Sequence, residues 1–91
     1  MINEFKIGGF AISKAGHDSG KLYVIFAEDS EYVYLVDGRL RMLDRPKKKK
    51  KLHATILNQS DNTLTEKVMN RTVRDEEIKR AIKVLQYGIS R

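Results

Sequence analysis

Between Arg39 and Lys51 the chain carries three arginines and five lysines against a single acid, Asp44. A guanidinium can take two phosphate oxygens at once, and an ammonium meets them as a point charge. The chemistry such a run can do is to hold a polyanion, with affinity that falls steeply as salt rises and with little reading of base sequence. The whole chain has a net charge of +6, so this segment contributes +7 and the remainder −1. The basic excess is therefore local. The plain alternative is a solvated loop that keeps the protein soluble, the usual meaning of a charge run taken by itself.

A second group of candidates lies earlier, where Lys14, His17 and Lys21 surround a glycine-bearing segment. The two lysines suit phosphate, and an imidazole can stack on a base or donate a hydrogen bond to one. Asp18, in the same segment, is expected to brace the turn through its own backbone. Bond-making chemistry has less to build on. With no cysteine the chain has no disulfide, no thiol chemistry and no cysteine zinc site. His17 and His53 are the only histidines, and no further ligands cluster with them in sequence. Gly8-Gly9 lacks the pattern and the following lysine of a phosphate loop. The expectation is a non-enzymatic protein without metal, cofactor or small-molecule substrate. A chain of 91 residues also leaves little room for a deep pocket.

The elements that must position these residues read first as strands. Phe10 and Ile12 alternate with Ala11 and Ser13. Leu22 to Ala27 is apolar on both faces, and Tyr32 to Val36 is rich in aromatic and β-branched residues. Tyr23, Val33 and Leu35 point one way and Val24, Tyr32 and Tyr34 the other, and the pattern leaves open which set is exposed. Glu28-Asp29-Ser30 is a polar turn. Asp37-Gly38 predicts a two-residue hairpin into a fourth strand, Arg39 to Leu43, with Arg39 and Arg41 sharing one face. Pro46 ends it, the lysines form a mobile extension, and Leu52 to Leu57 is a fifth strand. Several short strands at close spacing predict a mainly β chain folded as a small barrel.

After Asn58 the character changes. Gln59 to Asn62 is a linker, and Thr63 to Met69 a short helix with Thr63 and Glu66 at capping-box spacing. Thr72 and Asp75 repeat that spacing before a second helix, about Val73 to Gln86, which Gly88 would stop. Ile78, Ala81, Ile82 and Leu85 form its apolar stripe. Two parts are expected: a barrel over residues 1–58 and a C-terminal helical appendage over 59–91 packing on it. The Ile78/Ile82 face is the alternative site for a protein partner.

The segment from Phe10 to Ile25, with a strand, a polar loop, Gly20 and a second strand, resembles a KOW motif. Lys21-Leu22-Tyr23-Val24-Ile25 and Tyr34-Leu35-Val36-Asp37-Gly38 are similar to the KOW-containing large-subunit ribosomal proteins of archaea and eukaryotes. Arg45-Pro46-Lys47-Lys48-Lys49 and His53 are similar to the stand-alone bacterial group of KOW-domain RNA-binding proteins. The resemblance covers about residues 8 to 57. It implies an SH3-like β-barrel of about five strands, no cofactor, and binding to structured RNA, usually ribosomal. The RNA-binding set it suggests is Lys14, His17, Gly20, Lys21, Arg39, Arg41, Arg45, Lys47, Lys48, Lys49, Lys50, Lys51 and His53.

The expected partner is therefore RNA, most directly ribosomal RNA or the ribosome. The competing reading is a protein-interaction module contacting RNA polymerase or a translation factor. No stretch approaches the ~20 apolar residues of a membrane span, and Met1 to Lys6 is too polar for the apolar region of a signal peptide. The expected location is cytoplasmic, with no membrane partner.

Overall fold

A computed structural model describes residues 5–89. Five strands form one antiparallel sheet: β1 (Phe10–Ser13), β2 (Leu22–Glu28), β3 (Tyr32–Val36), β4 (Lys47–Lys50) and β5 (Ala54–Ile56), in the order β4-β3-β2-β1-β5. A single 3₁₀ turn, Lys51–His53, joins β4 to β5. Two helices follow, α1 (Asn62–Asn70) and α2 (Asp75–Ile89). The strand ladder does not close: β4 and β5 are its two edges. The fold is thus a five-stranded antiparallel sheet with two helices.

Strand alternation gives the sheet a core on each face. Phe10, Leu22, Val24 and Val36 are buried on one face beneath Leu64 and Val68 of α1, Val73, and Ile78 and Ile82 of α2. Tyr23, Ile25, Val33 and Leu35 are buried on the other with Ala11 and Ala54. Register agrees: Val24 lies opposite Val36, and Ile25 opposite Leu35. The two tyrosine-bearing sets are therefore resolved. Tyr23, Val33 and Leu35 lie inside, whereas Tyr32 and Tyr34 are only half-buried on the helix-bearing face. The stripe Ile78, Ala81, Ile82 and Leu85 packs on the first core. Ile78 is 0% exposed, so the face once available to a protein partner is occupied by the chain itself.

The predicted Asp37-Gly38 hairpin does not form. Residues 37–46 are a loop, and the strand paired with β3 is the lysine run, with Leu35 opposite Lys47 and Tyr32 opposite Lys50. A type I′ turn needs positive φ at both central residues, and here only Gly38 has it, at +77°. Asp37 explains the outcome. Its Oδ1 accepts the N–H groups of Arg39 at 2.9 Å and Arg41 at 2.8 Å, which folds the segment into a local turn. Gly38 then lies against α2, where a Cβ would stand 2.3 Å from the Asp75 carbonyl oxygen. So Arg39 and Arg41 do not share a strand face, and Lys47 to Lys50 are not a mobile extension.

The helix ends also differ from expectation. Asp61, not Thr63, caps α1, its carboxylate accepting from Leu64 N–H at 3.1 Å. Arg71 closes it in the left-handed region at φ 64°. At the start of α2, Asp75 is drawn away to accept from Leu43 N–H at 2.8 Å, and Glu77 reaches back to Arg74 N–H at 2.9 Å. Gly88 lies within α2 rather than ending it. The predicted fifth strand, Leu52 to Leu57, is shortened because its start is taken by the 3₁₀ turn.

Candidate functional site

The loop from Lys14 to Lys21 joins β1 to β2 and is built around Asp18. Two glycines permit its shape: Gly16 and Gly20 hold φ of +86° and +88°, a region that side chains with a Cβ rarely enter. Gly20 N–H donates to Ser13 C=O at 2.7 Å, and Lys21 N–H to Asp18 C=O at 2.9 Å. The space where a Gly20 Cβ would stand has no atom within 4 Å. Lys14 and His17 are exposed on this loop.

Asp18 braces the loop through other side chains rather than, as expected, through a carboxylate bond to its own backbone. One carboxylate oxygen accepts from Ser13 Oγ at 2.8 Å and Lys49 Nζ at 3.3 Å, and the other from Tyr23 Oη at 2.8 Å. Lys47 Nζ stands 3.4 Å away. Burial alone would raise the Asp18 pKa. The hydrogen bonds of Tyr23, Ser13 and Lys49 and the charge of Lys47 outweigh it, so Asp18 titrates well below the usual carboxylate range. Burial, and then the hydrogen bond to Asp18, push the Tyr23 phenol well above its ordinary value.

This arrangement divides the lysine run by strand parity. Lys47 and Lys49 lie opposite Leu35 and Val33 and share their inward face, where they meet Asp18. Lys49 Nζ also donates to Ala15 C=O at 3.0 Å, which docks the β1–β2 loop on β4. Lys48 and Lys50 face outward beside Tyr34 and Tyr32. Lys51 is committed to Glu28 at 2.7 Å. An edge strand of lysines also has a plain structural use, since charge there discourages pairing with another chain.

Asp37 organises the remaining candidates. It is 4% exposed. Its Oδ2 meets Lys21 Nζ at 2.9 Å as a charge pair that lacks hydrogen-bond geometry. Burial would raise the Asp37 pKa, but Lys21 and the N–H groups of Arg39 and Arg41 hold it below its ordinary value. Lys14 N–H donates to His53 C=O at 2.8 Å, bringing the 3₁₀ turn beside the β1–β2 loop.

Lys14, His17 and Gly20, the arginine loop, and β4 with His53 therefore meet around Asp18 and Asp37, though far apart in sequence. Arg39, Arg45, Lys48, Lys50 and His53 are exposed and Arg41 is half-buried. Lys21, Lys47, Lys49 and Lys51 are held by carboxylates. Sequence reasoning gave the two organising acids, Asp18 and Asp37, only local turn roles and missed their distant lysine partners. Asp18 carried one signal, a carboxylate between two glycines, but Lys49 lies 31 residues away and nothing local marks it as a partner.

Two grooves are larger than the chain length suggested. One of about 500 Å³ runs between α1, α2 and Phe10, and one of about 670 Å³ follows β5 and Phe5. Among the described residues, no group of three His, Asp or Glu is placed to hold a metal ion. No described helix is long and apolar enough to cross a membrane. In comparisons with known proteins, no family model and no curated protein matches the chain.

Proposed function

We propose that this chain is a KOW-type RNA-binding protein that grips structured RNA, in the first instance ribosomal RNA, through phosphate contacts, and that it acts in the cytoplasm without catalysis. One observation carries the reading. Asp18 and Asp37 tie three separate basic segments together and neutralise the inward lysines, leaving Lys14, Arg39 and Arg45 presented around them, while Lys48 and Lys50 emerge on the opposite face of β4. A basic surface supported this way pays less conformational entropy on meeting a polyanion than a loose tail would.

The strand order, with β5 beside β1 and a 3₁₀ turn between β4 and β5, supports an SH3-like relationship for the sheet. The bare space around Gly20 supports close approach of a phosphate backbone to the loop. A protein-interaction role through Ile78 and Ile82 has less support, because both side chains are in the core.

The test is sedimentation of the protein with ribosomal subunits across a salt series, followed by crosslinking in cells and sequencing of the attached RNA. Cosedimentation at low salt that is lost steeply on raising salt, with ribosomal RNA recovered, is the expected result. Migration with free protein at low salt and no RNA recovered would sink the proposal.

A further inference from the structure

The half-exposed tyrosines lie away from the Asp18 loop, on the helix-bearing face. Tyr32 and Tyr34 are two residues apart on β3, so their side chains share a face about 6.6 Å apart along the strand. Lys50 lies opposite Tyr32 and Lys48 opposite Tyr34. Lys48 Nζ stands 4.3 Å from the Tyr32 ring centroid. Tyr34 Oη donates to Asp29 Oδ2 at 2.9 Å, which fixes the ring's tilt.

The row continues across the sheet. A bulge in β2 inserts Phe26 between Ile25, which pairs with Leu35, and Ala27, which pairs with Tyr34. Phe26 packs at the margin of the helix-covered core, and the Arg71 guanidinium lies over its ring at 4.6 Å. Cations therefore lie over two of the three rings, Lys48 on Tyr32 and Arg71 on Phe26, with Lys50 opposite Tyr32, and a stacking base would move them aside toward its phosphates. The acids nearby bound the row at the β2–β3 turn. Asp29 is occupied by the N–H groups of Glu31 and Tyr32, Glu28 by Lys51, and Glu31 is exposed.

We infer that the Tyr32–Tyr34–Phe26 row, with Lys48, Lys50 and Arg71, is a platform for unpaired bases of single-stranded RNA. The inference rests on the RNA-binding reading and specifies it: the Asp18–Asp37 surface holds backbone, and this face takes bases from an adjoining unpaired stretch. Aromatic rings offer every base a stacking partner and the flanking cations hold its phosphates. A duplex keeps its base faces stacked inside and has none to give. Such a platform tolerates sequence, because no hydrogen-bond donors or acceptors need to match base edges.

The experiment compares an end-labelled single-stranded RNA of about 12 nucleotides and mixed sequence with an abasic strand of equal length and charge, and with a structured hairpin RNA. Binding is read by fluorescence anisotropy at low salt. The wild-type protein is expected to prefer the base-bearing strand by about tenfold. Tyr32→Leu/Tyr34→Leu should remove most of that preference and Tyr32→Phe/Tyr34→Phe should keep it, with urea midpoints confirming folding. Equal wild-type affinity for the two strands overturns the platform while hairpin binding leaves the RNA-binding reading intact. Failure to bind any of the three overturns both. The wild-type comparison stands even if the leucine variant does not fold.

Discussion

Lys49 Nζ lies 3.3 Å from Asp18 Oδ1, and the two side chains are only 9% and 12% exposed. A lysine from the middle of a solvated-looking run thus serves as an internal strut. Removing one partner of a buried pair costs more than the pair gains, because the other charge stays buried. Asp18→Asn is expected to destabilise the fold by about 2–4 kcal/mol, read as a lower urea midpoint. An unchanged midpoint would show that the Asp18 cluster does not hold the loop to β4.

The same cluster sets the pH response. The Asp18 and Asp37 pKa values are depressed in the fold. Their contribution is therefore complete above the unfolded carboxylate value of ~3.9 and is lost as pH falls toward the folded values. Tyr23 is raised, so its contribution is complete below ~10, the unfolded phenol value, and is lost as pH rises beyond it. Stability should be flat between these limits. Asp18→Asn should lessen the loss on the acid side and, by removing the carboxylate beside the phenol, lessen it on the alkaline side too. Thermal melts of both proteins at pH 2.5 to 11 check this.

Strand parity predicts different roles for neighbouring lysines. Lys48→Gln/Lys50→Gln removes two outward charges, and the slope of log affinity against log salt should fall by about 2. Lys47→Gln/Lys49→Gln removes charges already paired with Asp18. It should lower the unfolding midpoint with a smaller change in slope. Anisotropy with the single-stranded RNA at several salt concentrations separates the two. Equal slopes for the two double variants would mean that the inward lysines turn outward on RNA.

Glycine positions offer a further contrast. Gly38→Ala would put a methyl 2.3 Å from the Asp75 carbonyl oxygen and hold it at φ +77°, so backbone must shift. A loss of about 3 kcal/mol or more is expected, combining conformational strain with overpacking. Gly20→Ala keeps the strain of φ +88° but meets no atom within 4 Å, so the loss should be about 1–2 kcal/mol. Chemical denaturation of the two variants measures the difference.

Arginine placement is testable in the same way. Arg39 and Arg41 are presented by a turn that Asp37 holds through their backbone N–H groups. Arg39→Ala/Arg41→Ala should therefore weaken RNA binding by about tenfold or more while leaving the unfolding midpoint within about 0.5 kcal/mol of wild type. Wild-type affinity in this variant would remove the loop from the contact surface.

Much of the fold was legible because it depends on local pattern. The bounds of β3, the apolar run of β2 and the stripe of α2 follow from the period at which side chains return to one face. Asp37-Gly38 misled because its strongest local reading, a hairpin, competes with a contact outside its own segment. Leu43 N–H finds Asp75, 32 residues away, and Gly38 packs under α2. The lysine run misled for a related reason. Its composition argues for solvent, but β3 offers a free edge, and Asp18 offers a carboxylate for the inward pair.

The sequence by itself determined where charge accumulates, that strands come first and helices follow residue 58, and that its loop glycines must turn. These are matters of composition, periodicity and backbone freedom, which each short segment carries within itself. Only tertiary structure decided which lysines face inward, which tyrosines remain accessible and what holds the arginine loop. Those depend on pairings between residues tens of positions apart, where burial makes one carboxylate worth several partners. The basic segment is the clearest case: its charge is written in the sequence, but its division into struts and presented cations belongs to β4 and Asp18.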